Sequence, residues 1–557
     1  MKRVLLGIAA VVIIAASAYG SGQRSAAATG STGDVRLRML ICWNGGYKVP
    51  KDQYNNAVAK TIREKIGVTV EFEGIMMNEM EKLNLMFASG DMPDMVNAPF
   101  WGGTGGETGV IKKAAAEGML LPIEDMLEKY PNVKRSYDIG GISQKMLDTE
   151  LKDPSFNGHL YLIPQETAGN IDHITNWTYG VFVRGDVPKA LGINERNIKT
   201  SQQLYDFMAK ARDYGFKDVN GNPTIVATTY HDGWDYGRYA ENFDLKKRTG
   251  YIKNTDGTVT SNTLTDTWIN RNLFIWRLVN QNILDKESFK HNDSAADTKV
   301  GNGTALFFAA QYGVGINSTK LTGLYTSHPE MRYIPVGPLT YADGQPLTQI
   351  EPMGRDGTPV IFFPKTCKNL DAAFRYIDFV NTKEGKMLTA YGIQGQTYNL
   401  NAQGQPRLIA SYLDRKQKGD SSWEDELREI GGFYIKDRLW YRNLDKDWFG
   451  EDGVGNADAA VQELEDYKKL RPVEQIPGIT ISSFETQFPN WQESQRIFEG
   501  DIEKSYRERA YFAATEAEAR KILQDYQTYV KTASNGIYLK FLDYLTGIAK
   551  TRSDVIF

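Results

Sequence analysis

The sequence predicts an α/β protein of two domains, each built on a mainly parallel sheet covered by helices on both faces. Three observations lead there. Strand-like and helix-like patterns alternate from residue 35 onward, and the same rhythm restarts near residue 160. The chain has 557 residues, whereas a single hydrophobic core stops growing at about 250–300 residues. Its hydrophobic content of 41% is ordinary for a globular protein, and no apolar stretch beyond the N-terminus approaches membrane length.

Residues 35–42 read as a strand. A helix follows over 54–66, with Tyr54, Val58 and Ile62 on one face and Gly67 at its end. Residues 68–72 alternate as a second strand, and a helix beginning near 78 presents Met80, Leu83, Met86 and Phe87 before stopping at Gly90. In such sheets ligands bind in crevices at the carboxyl ends of the strands, so the 97–109 loop is the expected crevice loop. The second passage runs through 160–164 and 180–184 to a helix at 201–214, with a turn at 218–223. Helical periodicity returns at 265–280, while 305–310 and 333–336 read as strands. After 359–364 comes an amphipathic helix over 371–391 capped by Gly392, and from about Leu408 the chain is charged and helical.

At the N-terminus Lys2 and Arg3 precede an apolar run over 4–16 and the small residues Ala16, Ser17, Ala18 and Gly20. That order is a secretory signal, and the run is shorter than the roughly 20 residues of a membrane span. The expected division is a cleaved signal peptide over 1–20 and a Ser/Ala/Gly-rich tether over 21–33. The tether holds no cysteine for lipid attachment, so a free extracytoplasmic protein, periplasmic or otherwise, is expected.

Charge and motifs narrow the function classes. The net charge is −4, with 65 basic and 69 acidic residues interspersed, and the concentrated basic stripe of a nucleic-acid binder is missing. The patterns H-E-x-x-H, C-x-x-C, G-x-S-x-G and Walker A are absent, which removes the commonest metal, redox, acyl-transfer and nucleotide chemistries. No cofactor and no catalytic residue is expected. Cys42 and Cys367 are the two cysteines, and either one bridge or two buried thiols fits them.

Several segments, in order, resemble family 1 extracellular solute-binding proteins of ABC importers, in their long, oligosaccharide-binding branch. Phe87 to Asp94 is similar to the family's "ASGDxPD", Gly118 to Ile123 to its "GxLxPL", and Gly158 to Pro164 to its "GKxYxLP" hinge entry. Tyr179 to Asp186 resembles "LWYRKD", Lys199-Thr200 the helix start that follows it, and Gly303 to Leu306 "GKAAM". Pro364 to Asn369 resembles "PKTCKNPE" before the helix that ends in Tyr391-Gly392-Ile393-Gln394-Gly395. The resemblance implies a two-lobe periplasmic-binding-protein fold with a hinge and a central ligand cleft. It puts 34–164 plus 357–405 in an N-terminal lobe and 165–356 plus 406–557 in a C-terminal lobe. It also implies a non-enzymatic, monomeric binding subunit that delivers a carbohydrate to an ABC permease. Rival readings are a peptide or other small solute on the same fold, and a secreted glycoside hydrolase. Phe216 to Pro223 is similar to a stretch that binds calcium in some members. Asp218, Asn220 and Asn222 supply alternating oxygens, but the later acids that complete such a site are missing, which favours a plain turn.

A sugar site needs flat apolar faces beside planar hydrogen-bonding groups. Trp101 lies in the expected first-lobe loop, Glu166 leaves the hinge strand, and Trp177 and Tyr179 flank the next strand. Asp232 and Trp234 belong to the densest polar and aromatic cluster, while Gln311 and Tyr312 follow the "GKAAM"-like strand. Tyr398 follows the Gly395 turn and Trp43 the first strand. Each also has a plainer reading: core packing for the aromatics, and for Glu166 a hinge salt bridge to Arg184.

Overall fold

The computed structural model describes residues 34–43, 47–76, 79–100, 106–138, 151–153, 156–165, 179–243, 250–311, 318–347, 349–352, 359–435, 448–449, 473–476, 479–497 and 502–557. The first lobe forms around Val35–Ile41, which pairs in parallel with Val68–Gly74 on one side and Met95–Ala98 on the other. The helix Ala57–Ile66 joins the first two strands. It starts where Asn56 Oδ1 accepts the Ala59 N–H at 2.8 Å and ends at Gly67, whose φ of 66° favours glycine. Tyr54, expected within this helix, lies before it, between the guanidinium groups of Arg36 and Arg63 at 3.5 and 4.2 Å from its ring.

The sheet is completed by Val360–Phe362, antiparallel to both Met95–Ala98 and Ile163–Pro164. Four of the five strands therefore run in one direction, as expected, and Val360–Phe362 alone runs against them. The physical reason is the path of the chain: Ile163–Pro164 leaves the lobe at the carboxyl edge, and Val360–Phe362 re-enters at that edge and runs back. Side-chain alternation splits the core between the two faces. Leu37, Met39 and Ile41 pack with Phe363, Phe374 and Ile377, while Leu40, Cys42, Val96 and Phe362 pack with Leu83, Ile111 and Leu162.

The second lobe carries the sheet Tyr333–Pro335, Tyr179–Arg184, Ala305–Gln311, Ile225–Thr229, in that order. Tyr179–Arg184 is antiparallel to both neighbours, and Ile225–Thr229 is parallel to Ala305–Gln311. One face packs under Ser201–Tyr214 and Asp266–Asn280 through Val181, Val183, Phe307, Leu204, Phe207, Ile275 and Leu278. The helix Ser201–Tyr214 begins in a capping box made by Thr200 and Gln203. Glu516–Thr551 packs on Asp266–Asn280 through Trp268, Tyr526 and Val530.

Two expectations change. The helix over 371–391 is two helices, Leu370–Val380 and Lys383–Tyr391. Thr382 Oγ1 accepts the Gly385 N–H at 3.0 Å and so caps a new start, while Asn381 Nδ2 donates to Ile377 O at 2.9 Å. The residues after 405, expected wholly in the C-terminal lobe, begin on the first lobe. Tyr412, Trp423, Leu427 and Phe449 pack with Met387 and Tyr391, and Tyr434 and Ile435 join the core beneath Val70 and Phe72. From Ile481 onward the chain packs in the second lobe with Tyr251 and Phe541. The chain therefore passes between the lobes three times, and on the way Val473–Ile476 pairs in parallel with Gln349–Pro352.

Candidate ligand cleft

The carboxyl edge of the first sheet is where four strands release the chain and one receives it. At its centre stands Asn97, with 0% of its surface exposed in a strand whose four residues are all buried. Its Oδ1 accepts the Trp43 Nε1–H at 2.9 Å, and its Nδ2 donates to Gln165 Oε1 and to Val360 O, the latter at 3.3 Å. Gln165, 2% exposed, is fixed a second time where its N–H donates to Pro359 O at 3.0 Å. Trp43 is half-buried beside Cys42, whose own N–H donates to Asn97 O at 2.9 Å. An indole and two carboxamides are thus joined in one hydrogen-bonded chain, the combination of flat face and planar polar groups that suits a polyhydroxylated ligand.

On the second sheet the matching edge is formed by the start of Tyr179–Arg184 and the ends of Ala305–Gln311 and Ile225–Thr229. Tyr179 and Gln311 are register partners there, and Thr229 pairs with Ala309. The 3₁₀ turn His231–Phe243, which carries Asp232 and Trp234, leaves from the same edge after Tyr230. Four sequence candidates therefore converge on one sheet edge as backbone positions. The edge is held from behind. Tyr239 Oη donates to Thr228 O at 2.5 Å, and His291 Nε2 lies 2.8 Å from Thr229 O. A carbonyl only accepts, so Nε2 carries the proton and Nδ1 accepts from Lys299 Nζ at 3.4 Å. Lys299 is itself held by Asp285 and Glu287, each at 2.6 Å.

Trp101, Glu166, Trp177 and Tyr312 lie outside the described residues. Tyr398 is displaced from the expectation: it is 6% exposed and packs against Tyr391, ring centres 5.6 Å apart, because Tyr398–Leu400 folds back on Pro406–Leu408 over that aromatic cluster. Its ring is core. Asn97 carried a legible signal, since one carboxamide in the otherwise apolar Met95–Ala98 strand demands partners. Its role as the centre of the edge depended on pairings that only the fold displays.

The calcium-like segment is a hydrogen-bonded turn. Asp218 Oδ1 accepts the N–H groups of Asn220 and Asn222, each at 2.9 Å, and Oδ2 accepts Thr304 Oγ1–H at 3.2 Å. Burial acts to raise the Asp218 carboxyl, but the hydrogen bonds from Asn222, Asn220 and Thr304 outweigh it and hold it below the usual carboxylate value. Among the described residues no group of three or more His, Cys, Asp or Glu is placed to hold a metal ion. Cys42 and Cys367 are both free, buried thiols. Burial pushes each up, Cys367 to about 11, so both stay protonated. Arg184 is 1% exposed and its fork is taken by both Asp186 oxygens at 2.8 Å, with Lys217 O and Gly303 O at 2.8 and 2.5 Å. Among the described residues no helix is long and apolar enough to cross a membrane.

Residues 47–387 match the family model described as bacterial extracellular solute-binding protein. The fructooligosaccharide ABC transporter substrate-binding protein FusA of Streptococcus pneumoniae serotype 4 is 23% identical over 250 residues. That match spans 44% of this chain and 44% of the relative's length. Among solved structures, alginate-binding protein AlgQ2 without calcium ion superposes with a TM-score of 0.63 at 18% identity, covering 93% of this chain and 99% of that one. Streptococcus pneumoniae FusA in complex with kestose gives 0.57 at 17% identity over 93% and 100% of the two chains. The N-glycan transport solute-binding protein NgtS of the same species, in complex with Man1GlcNAc, gives 0.53 at 12% over 93% and 99%. With the family match extending over more than half of its residues, and with two sheets whose edges carry aromatic and carboxamide groups, the chain belongs to the bacterial extracellular solute-binding proteins.

Proposed function

We propose that this protein is the extracytoplasmic binding subunit of an ABC importer, free of its signal peptide and monomeric, that captures a neutral oligosaccharide and hands it to a membrane permease. The observation that carries the reading is the neutral Trp43, Asn97 and Gln165 chain at the carboxyl edge of the first sheet. The names of its relatives support a carbohydrate, since FusA is a fructooligosaccharide protein and NgtS an N-glycan one. Contacts from both lobes to one ligand favour the closed state, and closure presents a composite surface to the permease.

The placement of the cations supports a neutral ligand. An acidic sugar needs arginine or lysine in the cleft, yet Arg184 is committed to Asp186, and Arg238 lies 3.2 Å from Glu241. The connections that follow or precede these strand ends are 44–46, 101–105, 166–178, 231–235, 312–317 and 353–358. By sequence they hold Arg355 as their one Arg or Lys, against Glu166, Asp172, Asp232, Asp235 and Asp356. Within this reading Trp101, Glu166, Trp177, Tyr179, Asp232, Trp234, Gln311, Tyr312 and Trp43 are the candidate ligand contacts.

A thermal-shift screen of neutral and uronic-acid oligosaccharides tests this, because a ligand that binds only the folded state raises the melting temperature by mass action. Neutral fructo- or manno-oligosaccharides are expected to raise it and to be recovered uncleaved. A response to uronates alone defeats the neutral assignment, and catalytic turnover defeats the transport reading.

A further inference from the structure

We infer that Asn97 is a positioning residue of the cleft, one that contacts no ligand itself and sets the orientation of the Trp43 indole as a stacking face; this rests on the oligosaccharide reading above. Three properties of the site carry it. The first is completeness. A carboxamide in a fully buried strand is costly unless its groups are matched, and here the oxygen and the NH₂ are both used. The partners also fix which way the amide faces. An indole N–H only donates, so Oδ1 must face Trp43, and a main-chain carbonyl only accepts, so Nδ2 must face Val360.

The second property is where the partners stand. Trp43 follows the exit of Val35–Ile41, Gln165 is the last described residue before the first crossing to the other lobe, and Val360 opens the strand that returns from it. The bond from Gln165 N–H to Pro359 O, 3.0 Å, joins the two crossings directly. One side chain thus links a cleft-edge aromatic to both of these connections between the lobes. The third property is what this does to binding. A ring already held by its polar edge loses less rotational freedom when a sugar stacks on its face, so the cost of ordering the site falls on the fold and not on the ligand. The indole then meets the ligand in one fixed orientation.

The test uses the full chain carrying ¹⁵N-labelled tryptophan, with the Trp43 indole resonance assigned by its loss in Trp43→Phe, and kestose as the probe. In Asn97→Leu that resonance should move toward the position of an indole without a protein acceptor, and kestose should bind about tenfold more weakly, the equivalent of one lost hydrogen bond. Added to Trp43→Phe, Asn97→Leu should weaken kestose binding by much less than it does alone, because its effect passes through the indole. A purely structural asparagine gives another pattern: a lower melting temperature with the indole resonance unmoved, or an affinity loss that adds in full to that of Trp43→Phe. Either result overturns the inference. Should Asn97→Leu fail to fold, Gln165→Leu removes one anchor of the same amide and should move the same resonance; an unmoved resonance then counts against the inference. If the wild-type chain does not bind kestose, the oligosaccharide reading loses that probe, while the indole resonance still decides whether Asn97 holds the ring.

Discussion

Gly323 lies inside the helix Ser318–Ser327, where glycine is about 1 kcal/mol worse than alanine. On propensity alone Gly323→Ala should stabilise the protein. The packing reverses that expectation. A Cβ at 323 would lie 2.6 Å from Gly419 N and 3.0 Å from Lys418 C, and closer still to Gly419 Cα, whereas ordinary contact begins near 3.4 Å. All three atoms are main chain, so no flexible side chain can yield. The helix Ser318–Ser327 belongs to the second lobe through Leu321 and Leu324, and Gly419 follows Ala410–Gln417, which packs with the first lobe through Tyr412. The clash would therefore part the two lobes at a contact between one helix and the end of the other. Overpacking of this kind costs about 1–3 kcal/mol, and the propensity gain returns about 1, leaving a net loss of roughly 0–2 kcal/mol. Gly547 is the internal control: it lies exposed in Glu516–Thr551, and a Cβ there meets nothing within 4 Å. Gly547→Ala should gain up to about 1 kcal/mol. Urea unfolding followed by far-UV circular dichroism should move the two midpoints in opposite directions, or leave that of Gly323→Ala unchanged. A stabilisation by Gly323→Ala as large as that by Gly547→Ala would refute the close approach between the lobes.

Arg184→Ala leaves Asp186 without its guanidinium and two main-chain carbonyls without their donor, and should cost about 3–5 kcal/mol in urea unfolding; a cost below about 1 kcal/mol would show that the buried pair is dispensable. Asp218→Ala strips the acceptor from Asn220, Asn222 and Thr304, for about 1–3 kcal/mol at neutral pH. Because the folded carboxyl is held below its unfolded value of about 3.9, its stabilisation is complete above that value and is lost as pH falls through the lowered one. The gap between wild type and Asp218→Ala should accordingly narrow on acidification below about pH 4, and a gap that widened there would contradict the sign. With the Asp218 oxygens occupied by donors of the turn and by Thr304, calcium and a chelator should leave the melting temperature of the wild-type chain unchanged; a rise with calcium would show that the turn takes the ion.

Local pattern carried the first lobe a long way. The alternation of Leu37, Met39 and Ile41 against Leu40 and Cys42 is the alternation of the two core faces, and Gly67 and Gly90 end the helices that precede them. What eluded it depended on partners distant in sequence. The direction of Val360–Phe362 is set by the edge at which the chain returns, and nothing in the tripeptide Val-Ile-Phe records that. The 371–391 periodicity runs unbroken across Asn381 and Thr382 and by itself predicts one helix; the break follows from the Thr382 hydroxyl finding the Gly385 N–H. The site divides in the same way. Tyr179 and Gln311 were legible as neighbours of strand ends, and the register places them side by side. Tyr398 was legible only as an aromatic after a turn, a description that fits core and cleft equally, and packing against Tyr391 decided it.

The three crossings bear on how such a protein can move. Two single strands passing between lobes would leave both bending and twisting open, since each strand rotates about its own φ and ψ. Here Gln349–Pro352, in the second crossing, is paired in register with Val473–Ile476, in the third, by a parallel ladder from Gln349 with Val473 to Pro352 with Ile476. A hydrogen-bonded pair resists shear between its strands, so the ladder joins these two connections locally. The Gly323 contact with Gly419 adds a point of direct backbone approach between the same two bodies, and Asn97 ties the first crossing to the strand that follows the second. Together these restraints limit sliding between the lobes. Under the proposed function, lobe closure is the motion that brings the Trp43 edge and the Tyr179 and Gln311 edge toward one ligand.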